Sequence, residues 1–276
     1  MDSTLLVRAE LVSLYGGKMN KLQKAGYIAE YKSKAMQEKL EQSIKMIASH
    51  PNFALSTSWG KDSVSMLHLA AQIHPKLKVV NARYPNPAER FEDMDRVRDL
   101  VLSRSDLSGI TYREVDTPGE WEMYERAGGF AEAMNREHKS AAKWWKDNFT
   151  KNMNKAMQEL GCDGVFIGLR ADESHARRMN VFTHGDDYQR KDGLQVALPI
   201  AHWSGRHVWA YLVRYSLSWM RIYDQASCSR ERARSGFVFA TGGASAIRRH
   251  GVWEDWKRIY PIEFNAWMRR FPELEK

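Results

Sequence analysis

Cysteine is nearly absent: Cys162 and Cys228 are the only two in 276 residues. A disulfide framework is therefore excluded, and one chain cannot supply four thiolates to a zinc or iron–sulfur site. No iron–sulfur cluster is expected, and a reducing compartment is. No uninterrupted apolar run approaches the roughly 20 residues that span a bilayer. Asp2, Arg8 and Glu10 interrupt the apolar residues of the N-terminus, which does not read as a secretory leader. The expectation is a cytoplasmic protein without membrane contact. Repeats and low-complexity linkers are missing. So is any Gly-x-x-x-x-Gly-Lys-Ser/Thr string, which excludes a Walker loop. His202, His207 and His250 lie at no metal-ligand spacing, and no Ser-His-Asp arrangement can be claimed from sequence.

Aromatic residues are plentiful: ten Trp, eleven Tyr and ten Phe, within a hydrophobic share of 43%. Rings of this size bury much area, so a substantial core is expected and general disorder is not. Lys and Arg number 42 against 34 Asp and Glu, a formal charge of +8. Such an excess attracts phosphate-rich partners, and it also suits an ordinary basic protein.

The pattern predicts helices from about residue 4 to 50, with Gly16-Gly17 and Gly26 dividing them into two or three pieces. Short apolar strands are expected at Phe53–Ser56, Leu77–Asn81, Ile110–Val115, Gly164–Gly168 and Val196–Ile200. Helical segments fall between them: one following the loop at 57–61 and buried on more than one side, one at Phe91–Leu102, a mostly helical stretch at Glu120–Leu160, and one near His207–Tyr215. A Trp-containing helix near Trp253–Trp267 closes the chain. Strands alternating with helices predict an α/β fold, a parallel twisted sheet covered on both faces. Three regions are expected: a helical extension at 1–50, a nucleotide-binding α/β domain at 51–225, and a basic, Trp-containing extension at 226–276.

The most informative string is Ser56-Thr57-Ser58-Trp59-Gly60-Lys61-Asp62-Ser63, between a strand and a helix start. Amides at a helix N-terminus lack partners, and the helix dipole favours an anion there. Gly60 permits close backbone approach. Ser58 and Ser63 offer hydroxyl donors, and Lys61 adds a cation. Asp62 can cap the helix or face a magnesium ion carried by a nucleotide. An ordinary capped turn is the competing reading; position directly after a strand favours the phosphate cradle.

A second string, Gly168-Leu169-Arg170-Ala171-Asp172-Glu173-Ser174-His175-Ala176-Arg177-Arg178, leaves another strand as a loop. Arginines grip phosphate or sulfate with paired hydrogen bonds. If the segment is helical, the seven-residue spacing puts Arg170 and Arg177 on one face. A charge-paired, solvated helix start is the alternative, with Asp172 and Glu173 neutralising the arginines.

The string from Ser58 to Ser63, continued by Val64-Ser65-Met66-Leu67-His68-Leu69-Ala70, resembles the PP-loop ATP pyrophosphatase and phosphoadenosine phosphosulfate (PAPS) reductase superfamily. Within it, the chain looks most like the nucleotide-binding subunit of sulfate adenylyltransferase and sulfurtransferase-like relatives, which keep the Gly-Lys-Asp-Ser form. The Gly168–Arg178 string and Leu198-Pro199-Ile200-Ala201-His202-Trp203-Ser204, followed by Val208-Trp209, agree in order and context. The likeness covers roughly residues 40 to 225. It implies an adenine nucleotide α-hydrolase-like fold, with ATP and magnesium as ligands. It also implies that Arg170 and Arg177 hold the pyrophosphate or sulfo end of the nucleotide, that Glu173 orients them, and that a second protein subunit is a candidate partner. Trp203 and Trp209 are expected in the core.

The sequence departs from that pattern in two places. Asn81-Ala82-Arg83-Tyr84-Pro85 stands where relatives often carry an acidic residue and Thr-Gly near the adenosine. Arg234-Ser235-Gly236-Phe237-Val238-Phe239 has phenylalanines where many sulfurtransferase-like members have cysteines, and the reductases' own C-terminal redox motif is missing. Cys228 is the only tail thiol, and Cys162 reads as a buried structural residue. Arg230, Arg232, Arg234, Arg248 and Arg249, interleaved with Phe237, Phe239 and Trp253, suit DNA or RNA by phosphate contact and stacking; a solvated face or oligomer contact is the plainer alternative.

The expected function is an enzyme that cleaves ATP between its α- and β-phosphates and transfers the adenylyl group. Lys61, Arg170 and Arg177 are its catalytic cations. Ser56, Ser58, Trp59, Gly60, Asp62, Ser63, Gly168, Glu173 and Ser174 complete the nucleotide site. Sulfate, a small acid or a nucleobase carbonyl is the candidate acceptor. A PAPS reductase and a non-catalytic nucleotide-sensing or nucleic-acid-binding protein are the alternatives.

Overall fold

The computed structural model describes residues 19–133, 143–233 and 252–275. Two helices come first, α1 (Lys21–Tyr31) and α2 (Lys34–Ala48). The break between them is not at Gly26, which lies inside α1. It falls at Lys32-Ser33, where the Ser33 hydroxyl accepts from Met36 N–H and starts the next helix.

The sheet follows: β1 (Phe53–Thr57), α3 (Lys61–Ile73), β2 (Lys78–Arg83), α4 (Glu92–Leu102) and β3 (Thr111–Asp116). Short helices α5 (Glu120–Ala127) and α6 (Phe130–Ala133) come next, then a π-helical turn (Trp145–Thr150) running into α7 (Lys151–Glu159). After β4 (Gly164–Ile167) come α8 (His175–His184), β5 (Asp187–Gln189), β6 (Gln195–Ala197), α9 (Gly205–Arg214) and α10 (Ile222–Gln225). The expected single closing helix is two, α11 (Val252–Ile259) and α12 (Pro261–Arg270), because Pro261 lacks the amide a continuous helix needs and starts a new one instead.

The strands lie in the order β3-β2-β1-β4-β6-β5. Every pairing is parallel except the edge, where β5 runs antiparallel to β6. The sequence reading missed β5: Asp187-Tyr188-Gln189 is too short and polar to carry a strand pattern, and pairing with β6 alone holds it there.

Alternation along the strands divides the core in two. Leu55, Val79 and Phe166 point to one face with residues of α2, α3 and α9; Ala54, Val80, Val165 and Val196 point to the other, under Met153, Ala156 and Met157 of α7 and Val181 of α8. Helices thus cover both faces. Trp203 and Trp209 are buried as expected. The closing helices join the first core: Trp267 Nε1 donates to Ala88 O at 2.8 Å, and Tyr260 donates to Asp93 at 2.9 Å. Trp253, expected among tail residues that could stack on bases, is buried there too.

Candidate functional site

Strand order sets the site. From β1 the chain steps outward to β2 and β3, then returns to lay β4 on the opposite side of β1. Chain exits diverge at such a switch and leave a crevice beyond the carboxyl ends of the strands. The two informative strings leave β1 and β4 side by side there, with Ser56 opposite Ile167 in register.

Trp59 turns the chain into α3 with a left-handed backbone, φ 56°, a conformation costly for a side chain this large. Burial offsets that cost: Trp59 is 2% exposed and meets the edge of Tyr112 at 5.6 Å. Gly60 takes the N-cap position and has no side chain with which to cap the helix. Asp62 therefore does not cap. Ser63 is not a free donor either: its hydroxyl donates to Gly60 O at 3.0 Å and accepts from Ser58 N–H at 3.2 Å, stapling the loop closed. Ser58 stays exposed, while Ser56 is half-buried in β1.

Gly168 brings the second loop against the first. A Cβ there would sit 3.2 Å from Asp62 C and from Ser63 N and Cα, all backbone atoms, which would have to give by a few tenths of an ångström. Arg170 and Arg177 do not share a helix face. Arg170 precedes a single 3-10 turn (Ala171–Glu173), and Arg177 lies in the first turn of α8, which Ser174 caps by accepting from Arg177 N–H at 3.2 Å. Glu173 links them, accepting from Arg170 N–H at 3.2 Å and pairing with the Arg177 guanidinium.

The cations of both loops meet on one carboxylate. One oxygen of Asp62 takes Lys61 Nζ at 3.0 Å, and the other takes Arg170 Nε. Lys61 and Arg170 are each 2% exposed. Burial works to raise the Asp62 pKa, but the two cations outweigh it and hold the carboxyl below its usual range. Burial likewise opposes the charge on Lys61, and Asp62 outweighs it and raises its pKa. Arg170 also pairs with Asp172, which accepts from Gly205 N–H at 3.0 Å at the start of α9. Lys61, Arg170 and Arg177 thus face Asp62, Asp172 and Glu173, a charge-balanced cluster in which Asp172, with its side chain 46% exposed, is the carboxylate freest to leave.

With each of its oxygens held by a cation, Asp62 serves as their internal counter-ion. Among the described residues no group of three or more His, Cys, Asp or Glu is placed to hold a metal ion.

Sequence reasoning missed Tyr223 altogether. Its hydroxyl accepts from Lys61 N–H at 3.1 Å, its ring lies 5.0 Å beneath Lys61 Nζ, and Ala233 O accepts from that ammonium at 3.1 Å. No spacing in the sequence ties residues 223–233 to residue 61. Asn81, in the departing segment, serves the sheet: it donates to Thr57 O at 2.8 Å. Of the basic tail residues, Arg230 is spent on Asp224 and lies 5.1 Å from the Trp209 ring. Arg232 is exposed, and Arg234, Arg248 and Arg249, with Phe237 and Phe239, lie outside the described residues. Cys162 is buried and Cys228 exposed. Burial, then Asp255, push the Cys228 thiol up, while Arg232 and Lys61 pull the other way. Among the described residues no helix is long and apolar enough to cross a membrane.

The family described as the phosphoadenosine phosphosulfate reductase domain matches residues 52–259. The phosphoadenosine 5'-phosphosulfate reductase of Salmonella paratyphi A is 27% identical over 179 residues, 64% of this chain and 67% of its own. That of Xylella fastidiosa strain M23 is 27% identical over 186 residues, 65% of this chain and 70% of its own. Among solved structures, an NMN synthetase from Francisella tularensis aligns with a TM-score of 0.48 at 11% identity, covering 87% of this chain and 96% of the other. A PAPS reductase from Candida auris in a phosphate complex aligns with a TM-score of 0.46 at 14% identity, covering 77% and 95%. The family match takes in both loops of the crevice, β1 to β6 and the residues that close over Lys61, and the chain belongs to the phosphoadenosine phosphosulfate reductase domain family.

Proposed function

We propose that the crevice between β1 and β4 takes the phosphates of an adenine nucleotide, and that the protein is an enzyme cleaving the α–β phosphate bond of ATP. The observation that carries this reading is the convergence of two buried cations, Lys61 and Arg170, from different loops onto one carboxylate beside the start of α3, where the N-cap residue Gly60 supplies no side chain. Buried cations this close are costly unless an anion is part of the design. An acceptor oxygen attacks the α-phosphorus, the bond to the bridging oxygen breaks, and its electron pair leaves with pyrophosphate. The charge gathering on pyrophosphate is met by Lys61, Arg170, Arg177 and the first-turn amides of α3. Because the cluster is balanced as it stands, phosphate oxygens must replace a carboxylate, and Asp172 is the exposed one.

A second reading is favoured by one observation: Cys228 is an exposed thiol in the segment between Tyr223 and Ala233, whose carbonyl takes the Lys61 ammonium. A sulfonucleotide reductase would use such a thiol, with an external dithiol supplying the electrons that release sulfite. The raised thiol pKa weakens that nucleophile.

One set of assays separates them. Pyrophosphate release from ATP is measured with sulfate, RNA or DNA present, in the native chain and in Lys61→Ala and Arg170→Ala. Thiol-dependent sulfite release from PAPS is measured in the native chain and in Cys228→Ser. Pyrophosphate release that falls by about 100-fold or more in both cation variants, on the scale of losing one transition-state donor, is the expected result. Sulfite release abolished by Cys228→Ser would establish the reductase instead, and tight nucleotide binding without turnover would leave a sensor.

A further inference from the structure

Helix α8, His175-Ala176-Arg177-Arg178-Met179-Asn180-Val181-Phe182-Thr183-His184, contains no acidic residue. Val181 anchors it in the second core, and Arg177 is held by Glu173. The outward stripe is built from His175, Arg178, Met179 and Phe182, at offsets of three, four and seven that share one helix face. Phe182 is 83% exposed and Met179 44%. Arg178 is exposed and has no ion pair among the described residues. Acids close by in sequence are engaged elsewhere: Asp186 with His202 at 3.3 Å and Asp187 with His50 at 2.8 Å.

We infer that this stripe is a docking surface for single-stranded nucleic acid, with a base stacked on Phe182 and backbone phosphates on Arg178 and His175. An exposed ring beside an unpaired guanidinium is the pairing that sequence-tolerant strand binding uses. A second copy of the chain is the poorer occupant. A two-fold contact lays a surface on its own copy, and here that would oppose acid-free, cationic faces. The position also fits a polyanion. The helix starts at Ser174, in the loop that carries Arg170, so a strand along α8 leads toward the β4 exit. Strand binding on α8 is independent of the phosphate chemistry proposed for the crevice.

The test is fluorescence anisotropy of labelled single-stranded RNA and DNA, about 12 nucleotides long, with the duplex of the same sequence as comparison. The full chain is titrated across a salt series. Phe182→Ala is expected to weaken single-strand binding by roughly 5- to 100-fold, with Phe182→Trp retaining it. Arg178→Ala is expected to lower the slope of log affinity against log salt by about 0.7. Phe182 is too exposed for its truncation to unfold the chain, and circular dichroism checks this. Native affinity in Phe182→Ala, an unchanged salt slope in Arg178→Ala, or no binding by the native chain would overturn the proposal. So would sedimentation showing a dimer that Phe182→Ala dissolves, which would give the face to a second copy.

Discussion

Glu89 illustrates how one buried side chain ties stability to pH. It is 9% exposed, caps the start of α5 by accepting from Trp121 N–H at 3.0 Å, and fills the space a Cβ on Gly119 would need. Burial raises its pKa from 4.5 to about 7, against the pull of the Trp121 and Glu120 amides. The folded chain therefore keeps a proton that the unfolded chain releases near pH 4.5. Between those values the native state binds more protons, so stability falls as pH rises from about 4.5 to about 7 and levels off above. The fall attributable to this group is at most about 3 kcal/mol. Glu89→Gln keeps an acceptor for the amides and cannot ionise. Urea unfolding at pH 5 and pH 8 should show the native chain losing stability between the two and the variant losing markedly less. Equal losses would mean that Glu89 titrates normally.

At the scale of elements, the site depends on how closely β4 leaves beside the first turn of α3. Gly168→Ala places a methyl carbon 3.2 Å from three backbone atoms of Asp62 and Ser63. The loop carrying Arg170 must shift, at an expected cost of about 1–3 kcal/mol. Arg170 then loses its grip on Asp62, so nucleotide affinity, read by calorimetry, should fall together with the melting temperature; an affinity left intact would detach Gly168 from the site. The strands and the two loops were legible because each rests on local pattern: a short apolar run, then glycine, cation and hydroxyl at a helix start. Other features have no local signature. The antiparallel β5 exists through its pairing with β6. The role of Asp62 as counter-ion depends on Arg170 lying 108 residues further along. The spacing of Arg170 and Arg177 suggested a shared helix face, but the chain leaves β4 extended and turns once before α8 begins, so Glu173 links them instead.

On the scale of the whole molecule, the segment from Tyr223 to Ala233 closes over the start of α3 from a distant part of the sequence. Its groups imitate an anion: a phenol oxygen takes Lys61 N–H, and a carbonyl oxygen takes the Lys61 ammonium. A phosphate bound at the start of α3 would claim the same donors, so nucleotide entry and the placement of this segment compete. Tyr223→Phe removes one competitor and keeps the ring beneath Lys61. The lost hydrogen bond is worth about 1 kcal/mol net. The variant should therefore unfold at slightly lower urea, yet bind ATP or inorganic pyrophosphate up to about fivefold more tightly, since the native chain must break that bond first. Titration calorimetry with both ligands reads the affinity, and urea melts without ligand read the stability. Reduced stability with unchanged affinity would place the phosphate away from Lys61 N–H. Weakened affinity would mean that Tyr223 itself contacts the nucleotide, and that the segment forms a wall of the site and not a competitor for it.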